Sequence, residues 1–173
     1  MYEKSYPSKR FRLTLSFIKK HIPTNLSILD LGVNNPLSDL MRKEGYLVRN
    51  TNGEDLDEDR SAIINSQAEV ITAFEILEHL LSPYEVLKSV KSDIIVLSIP
   101  LRLWFSKAYK SKTDPRDKHF HEFEDWQLDW LLEKSGWEII DRKKFTNPTK
   151  KIGIRPLFRL FTPRYYLVIA KRK

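Results

Sequence analysis

Ser27-Ile28-Leu29-Asp30-Leu31-Gly32 is a short apolar run that carries one carboxylate and closes on a glycine. A run of this length and composition suits a strand buried on both faces, and Gly32 gives the chain freedom to turn at its end. Pro36 follows where a helix takes its first turn, a position at which the missing N–H costs nothing. The helix reads on to Lys43 and stops near Gly45. The unit is strand, turn, helix.

The alternation continues on both sides of this unit. Phe11, Leu13, Leu15, Phe17, Ile18 and Ile22 put apolar groups on one side of a helix over about residues 9–20, ended by Pro23. Residues 46–50 resemble a second strand, followed by the turn Asn52-Gly53 and the exposed acids Glu54, Asp55, Asp57, Glu58 and Asp59. Residues 69–74 and 94–99 read as buried strands on either side of a helix over 83–91, the second strand ending at Pro100. This pattern predicts an α/β fold with a mostly parallel central sheet, helices on both faces, and ligands at the carboxyl ends of the strands. The long connection over 101–118, with Trp104, Phe105 and Tyr109, reads as a lid. Residues 123–135 form an amphipathic helix in which Trp126, Trp130 and Leu131 are expected in the core. Residues 137–145 and 165–170 then read as an antiparallel carboxyl-terminal hairpin, and the whole of 1–173 as one domain.

Composition narrows the chemistry. Hydrophobic residues make up 41% and charged residues 31%, enough apolar material for a core and too much for a disordered chain. The cysteine count of 0 removes disulfides, thiolate metal sites and a cysteine nucleophile together. No run approaches the ~18 apolar residues of a membrane span, and the first residues lack a cleavable leader pattern, so a soluble, cytoplasmic protein is expected. The net charge of +7 is unevenly spread: from Arg142 to Lys173 there are 11 basic residues and no acidic one, whereas from Asp39 to His79 there are 10 acidic and 4 basic. The basic end would attract an anionic substrate or surface.

Gly32 is followed by Val33-Asn34-Asn35, so the glycine-rich dinucleotide fingerprint is absent and a dehydrogenase reading loses ground. Glu75-x-x-Glu78-His79 superficially matches an inverted zinc motif but lacks its first histidine, and no metal is assigned. His119 and His121 bracket Phe120 and share a side if extended, which suits a metal or an acceptor site, with the acceptor site preferred. In the basic end, Phe158, Phe161, Tyr165 and Tyr166 alternate with Leu and Ile as a buried hairpin would, which disfavours nucleic-acid binding. Ile152, Ile154, Leu157, Phe158 and Phe161 among Lys151, Arg155 and Arg159 also fit a peripheral membrane contact, and with it a glycan- or lipid-linked acceptor.

Four segments in order, SILDLG (27–32), EVITAFEILEHLLSPYEVL (69–87), DIIVLSIP (93–100) and HFHEFEDWQLDWLLEKSGWEII (119–140), carry a further resemblance. The chain resembles the compact class I S-adenosylmethionine-dependent methyltransferases of types 11 and 12. The resemblance implies a Rossmann-like fold, S-adenosylmethionine as cofactor with S-adenosylhomocysteine as product, and a small-molecule or glycan- or lipid-linked acceptor. It implies that Asp30 and Gly32 lie beside the methionine part of the cofactor, with Asn34 in the same turn. Asn52 falls where an acidic residue holds the ribose, and Asp55 where one contacts adenine, unless Asp55 or Asp57 has taken over the ribose. Phe74 and Glu75 fall where backbone lines the pocket. His79, His119 and His121 are the titratable groups available to take an acceptor proton, although His79 also suits a hydrogen bond at a helix start.

Two departures from the family accompany the match. The first motif normally has two or three glycines where Asn34-Asn35-Pro36 stand, and only about 16 residues separate Asn52 from Glu69. The fold is therefore expected to be compressed after the second strand. A catalytically degenerate binding module for an anionic ligand or protein partner is the alternative reading.

Overall fold

The computed structural model describes residues 8–111, 114, 117–148 and 152–173. The first seven residues, part of the 101–118 connection and Lys151 of the basic stretch lie outside them.

The elements follow the order α1 (Ser8–His21), β1 (Ser27–Asp30), α2 (Pro36–Lys43), β2 (Leu47–Asn50), α3 (Ser61–Ile64), β3 (Val70–Phe74), a 3-10 turn (Leu77–His79), α4 (Pro83–Ser89), β4 (Ile94–Pro100), α5 (Asp125–Lys134), β5 (Trp137–Thr146), α6 (Ile154–Phe161) and β6 (Pro163–Arg172). They build one six-stranded sheet in the order β2-β1-β3-β4-β6-β5. The first four strands are mutually parallel, and β6 runs antiparallel to both β4 and β5.

The period of two along each strand sorts the core onto two faces. Ile28, Val70, Val96 and Ile169 pack with Phe11, Phe17 and Ile18 of α1 and with Leu37 and Met41 of α2. Leu29, Ile71, Ile95, Leu97 and Val168 pack on the other side with Val86 and Leu87 of α4 and Leu128 and Leu132 of α5. Both faces are covered, which is why these strands read as unbroken apolar runs.

Between β2 and β3 the chain forms no strand, only the four-residue α3, so β2 is the sheet edge and the expected compression is present. The chain steps from β1 outward to β2, then returns past β1 to β3. Such a reversal opens a crevice beyond the carboxyl ends of β1 and β3.

Two expectations are corrected and a third is met. Trp126 and Trp130 are exposed (44% and 66%) and stack edge-to-face on each other, while Leu128 and Leu132 face the sheet. β4 ends at Pro100 as expected, with Pro100 itself in the ladder opposite Tyr165. Leu101 N–H reaches Arg164 on the β6 side, so the nitrogen of Pro100 points the other way, past the end of β3, where no ladder bond is lost. In the basic end, Tyr166 is buried as expected, but Phe161 is 76% exposed and α6 has no buried residue.

Candidate functional site

Asp30 ends β1 with 1% of its surface exposed. Its Oδ1 accepts the Thr72 hydroxyl at 2.6 Å, and its Oδ2 accepts the Ser38 hydroxyl at 2.8 Å, Asn50 Nδ2 at 3.1 Å and Asn35 Nδ2 at 3.3 Å. Burial pushes the carboxyl above its ordinary range, against the pull of these four donors. Asp30 thus binds β3, α2 and the end of β2 into one frame under the turn that follows it.

That turn is held from both sides. Gly32 adopts φ +104° and donates its N–H to Thr51 Oγ1 at 2.8 Å. Asn35 Oδ1 accepts the N–H groups of Leu37 and Ser38 at 3.0 and 3.2 Å, capping α2. Asn34 turns outward and links Asp39 and Arg42. Gly53, with φ +85°, lies so near the turn that a Cβ would come within 2.8 Å of Val33 Cγ1. A Cβ on Gly32 would lie 3.4 Å from Ile76 Cδ1. The loops after β1, β2 and β3 therefore meet at one place.

At this junction Glu54 carries the charge that Asn52 lacks. Its carboxylate accepts Asn52 N–H at 2.9 Å and Asn52 Nδ2 at 3.2 Å. Its own backbone N–H, with those Asn52 donors, holds the carboxyl below its usual range, so it is ionised at neutral pH. Asp55 is exposed and accepts the N–H of Asp57. Asp57 is committed elsewhere, accepting the N–H groups of Leu81 and Ser82 at 2.7 and 2.8 Å.

Beyond β3, Glu75 has φ +58°, a conformation uncommon for a side chain of its size. Its carboxylate accepts the Ser98 hydroxyl at 2.8 Å and pairs with Arg10 of α1 at 3.1 Å. Phe74 is half-buried on the α1 side. Glu78 is 1% exposed, and burial together with the Glu75 charge pushes its carboxyl well above the carboxylate range. His79 Nδ1 lies 2.9 Å from the Lys118 carbonyl, so that nitrogen carries the proton. The His79 and His119 rings meet edge-to-face at 4.7 Å, and Tyr109 covers His119 at 4.3 Å. Burial holds His119 below the usual imidazole value, hence neutral at pH 7. His121 parts from His119: its Nε2 lies 3.3 Å from the Leu81 carbonyl and its ring packs on Phe123.

Two hollows lie away from this crest. One of about 420 Å³, lined by Leu26, Gln67 and Ser92 among others, is at the opposite end of the strands; another of about 440 Å³ lies between Trp104, Asp125 and Lys144. Neither touches Gly32 or Glu54, and the converging loops are the stronger basis for a ligand site.

No family model matches the chain, and no curated protein matches it by sequence. Solved structures do match. An S-adenosylmethionine-dependent methyltransferase from Archaeoglobus fulgidus superposes with a TM-score of 0.63 over 94% of this chain and 94% of that one, at 17% identity. Magnesium protoporphyrin IX methyltransferase from Synechocystis PCC 6803, solved with S-adenosylhomocysteine bound, gives 0.63 over 95% and 83%, at 10% identity. The [4+2]-cyclase SpnF gives 0.58 over 94% and 80%, at 13% identity. The chain has the class I S-adenosylmethionine-dependent methyltransferase fold.

Within the methyltransferase fold, the residues expected at the cofactor divide in two. Gly32, Asn52, Asp55 and Glu75 stand on the converging loops, whereas Asp30 is enclosed beneath them and Asn34 faces α2 and Arg42. The structure brings His79 and His119 together and sets His121 apart. Sequence reasoning overlooked Glu54, Arg10 and the depth of Glu78. The signal for Glu54 was there, an acid two residues beyond Asn52 across a glycine turn.

Proposed function

We propose that the protein binds S-adenosylmethionine at the junction of the loops after β1, β2 and β3 and transfers its methyl group to an oxygen or nitrogen acceptor. The observation that carries this reading is the ionised Glu54 held by Asn52 beside Gly53 and the Gly32 turn, in a methyltransferase fold. Glu54 would accept hydrogen bonds from the ribose hydroxyls. The backbone around Gly32 would border the methionine part, with Asp30 as the frame beneath it. The cofactor supplies an activated methyl group on sulfonium sulfur.

In such a transfer the acceptor lone pair would bond to the methyl carbon as the carbon–sulfur bond broke, with the electron pair returning to sulfur. A hydroxyl or amine acceptor must also lose a proton. His121 is assigned to take it: facing a carbonyl, its Nε2 donates, which leaves Nδ1 unprotonated.

The acceptor side is read from α6. Ile154, Leu157 and Phe161 are exposed along one side of it, Arg155 is exposed and Arg159 half-buried on another, and Phe158 packs on Trp104 and Phe105 of the loop after β4. An apolar helix face with arginines and no acidic residue fits an anionic bilayer surface, and so a lipid-linked acceptor.

A second reading, a binding module without catalysis, is favoured by the α2 cap. Asn35 takes up N–H groups that a glycine turn would leave for a ligand, and Pro36 has none. Calorimetric titration with S-adenosylmethionine and S-adenosylhomocysteine, with NAD as control, separates the two. Binding of both sulfur compounds in the micromolar range supports the enzyme, and binding of neither supports the module.

A further inference from the structure

We propose that Glu78, His79 and His119 form a binding site for one divalent transition-metal ion. One ligand atom from each lies within 4.8 Å of the others, and Glu78 Oε1 to His79 Nε2 is 3.8 Å. Bonds of about 2.1 Å in tetrahedral geometry set donors about 3.4 Å apart, so small side-chain rotations complete the set.

The second observation is independent of that spacing. Glu78 Oε2 is buried and has no hydrogen-bond partner among the described residues. The oxygen is unsatisfied whether the group is ionised or protonated, since the first lacks a donor and the second an acceptor. A cation held by both carboxylate oxygens would satisfy it, Oε1 being the one that faces His79 Nε2.

The donors are arranged as a metal requires. His79 gives its Nδ1 proton to the Lys118 carbonyl, which leaves Nε2, the nitrogen facing Glu78, with its lone pair. A ligating histidine fixed through its other nitrogen by a carbonyl is the usual outer arrangement of metal sites. The nearest carboxylate oxygens stand 4.0 and 3.9 Å from His119 Nε2 and Nδ1, on Asp117 and Glu122, beyond hydrogen-bond reach. The segment bearing His119 is pinned to the 3-10 turn, because the Glu78 carbonyl accepts the N–H groups of Phe120 and His121 at 2.8 and 3.2 Å. The two halves of the site are therefore in register before any ion arrives.

Two imidazoles and one carboxylate favour Zn²⁺, Co²⁺, Fe²⁺ or Mn²⁺ over the all-oxygen preferences of Ca²⁺ and Mg²⁺. Three protein ligands leave coordination positions open. If the methyl-transfer reading holds, on which this one consequence rests, an open position would orient an oxygen-bearing acceptor.

The test uses the metal-stripped full chain without S-adenosylmethionine, so that it stands or falls apart from the cofactor reading. Co²⁺ is added and its visible absorption followed, then displaced by Zn²⁺. The expected result is one equivalent of Co²⁺ with a histidine-ligated spectrum, displaced by Zn²⁺. His79→Ala, His119→Ala and Glu78→Gln should each weaken it by more than about 100-fold, the upper end of what loss of an outer partner alone costs. His121→Ala should bind as the parent does. Circular dichroism checks that each variant is folded, and Glu78→Gln, nearly isosteric, keeps the test open if a histidine variant unfolds. Absence of binding to the parent chain overturns the proposal, as does unchanged binding in folded Glu78→Gln.

Discussion

Asn52 gives both its backbone N–H and its side-chain amide to the carboxylate of Glu54, at 2.9 and 3.2 Å. The amide at the position where an acid would be expected positions an acid two residues further on. A neutral residue at the end of the second strand thus does not leave this corner uncharged.

Glu54→Gln should weaken S-adenosylhomocysteine binding by about tenfold, since a hydrogen bond to a charged acceptor is stronger than one to a neutral amide. Glu58→Gln, an exposed acid on the same loop, should leave it unchanged. Calorimetry on both variants checks this, and equal losses would remove Glu54 from the site.

Asp30 calls for two substitutions. Asn50 Oδ1 accepts Arg42 and Asn35 Oδ1 caps α2, so neither amide can turn around, and Asp30 Oδ2 must remain an acceptor. Asp30→Asn meets this demand by placing its oxygen there and its NH₂ toward Thr72, whose hydroxyl can rotate to accept. Asp30→Ala leaves buried donors without partners and should cost on the order of 3 kcal/mol, whereas Asp30→Asn should cost less than about 1 kcal/mol. Urea unfolding of both variants distinguishes this frame role from a purely ligand-binding one, in which the alanine variant would keep its stability.

Asp141 on β5 gives a pH dependence with a definite sign. Its carboxylate pairs with Lys20 and with His21 Nε2, each at 2.8 Å, which with the Arg142 N–H lowers its pKa from 3.8 to about 2. A carboxyl depressed in the folded state adds stability above its unfolded value, and that contribution is lost as the pH falls from about 4 toward 2. Solvent screening limits it to about 1 kcal/mol or less. Asp141→Asn should therefore be slightly less stable than the parent at pH 7, and the gap should close by about pH 2 in urea titrations at both values. A gap that widened in acid would contradict the assignment.

The frame of the molecule was legible because its signals are local. Pro36, Gly45 and the apolar runs of β1, β3 and β4 each have one good structural reading, and α2 begins and ends where they place it. α5 was harder for a physical reason. Trp126 and Trp130 make one i, i+4 stripe and Leu128 and Leu132 another, two residues round the helix, and the sequence does not say which stripe meets the sheet. The larger side chains were expected inside, but Leu128 and Leu132 fit beneath β5 and β6. The site was half legible for a related reason. The family resemblance pointed to Gly32 and Asn52, and the sequence offered the histidines as candidates, but the burial of Glu78 and the parting of His119 from His121 depend on how the 118–121 segment folds back on the 3-10 turn, a contact about 40 residues apart in the chain.

Phe161 is 76% exposed and Leu157 is 54% exposed, on α6, a helix whose Phe158 packs against Trp104 and Phe105. Water gains nothing from this face, whereas an anionic bilayer would bury its apolar groups and attract Arg155 and Arg159 together. The full chain should therefore co-sediment with phosphatidylcholine vesicles containing phosphatidylglycerol at low salt, and less with phosphatidylcholine alone. Leu157→Glu with Phe161→Glu should abolish the binding, while S-adenosylhomocysteine affinity stays unchanged because neither residue touches the Gly32–Glu54 junction. Equal binding to both vesicle types would remove the arginines from the argument, and no binding to either would leave α6 without a membrane role.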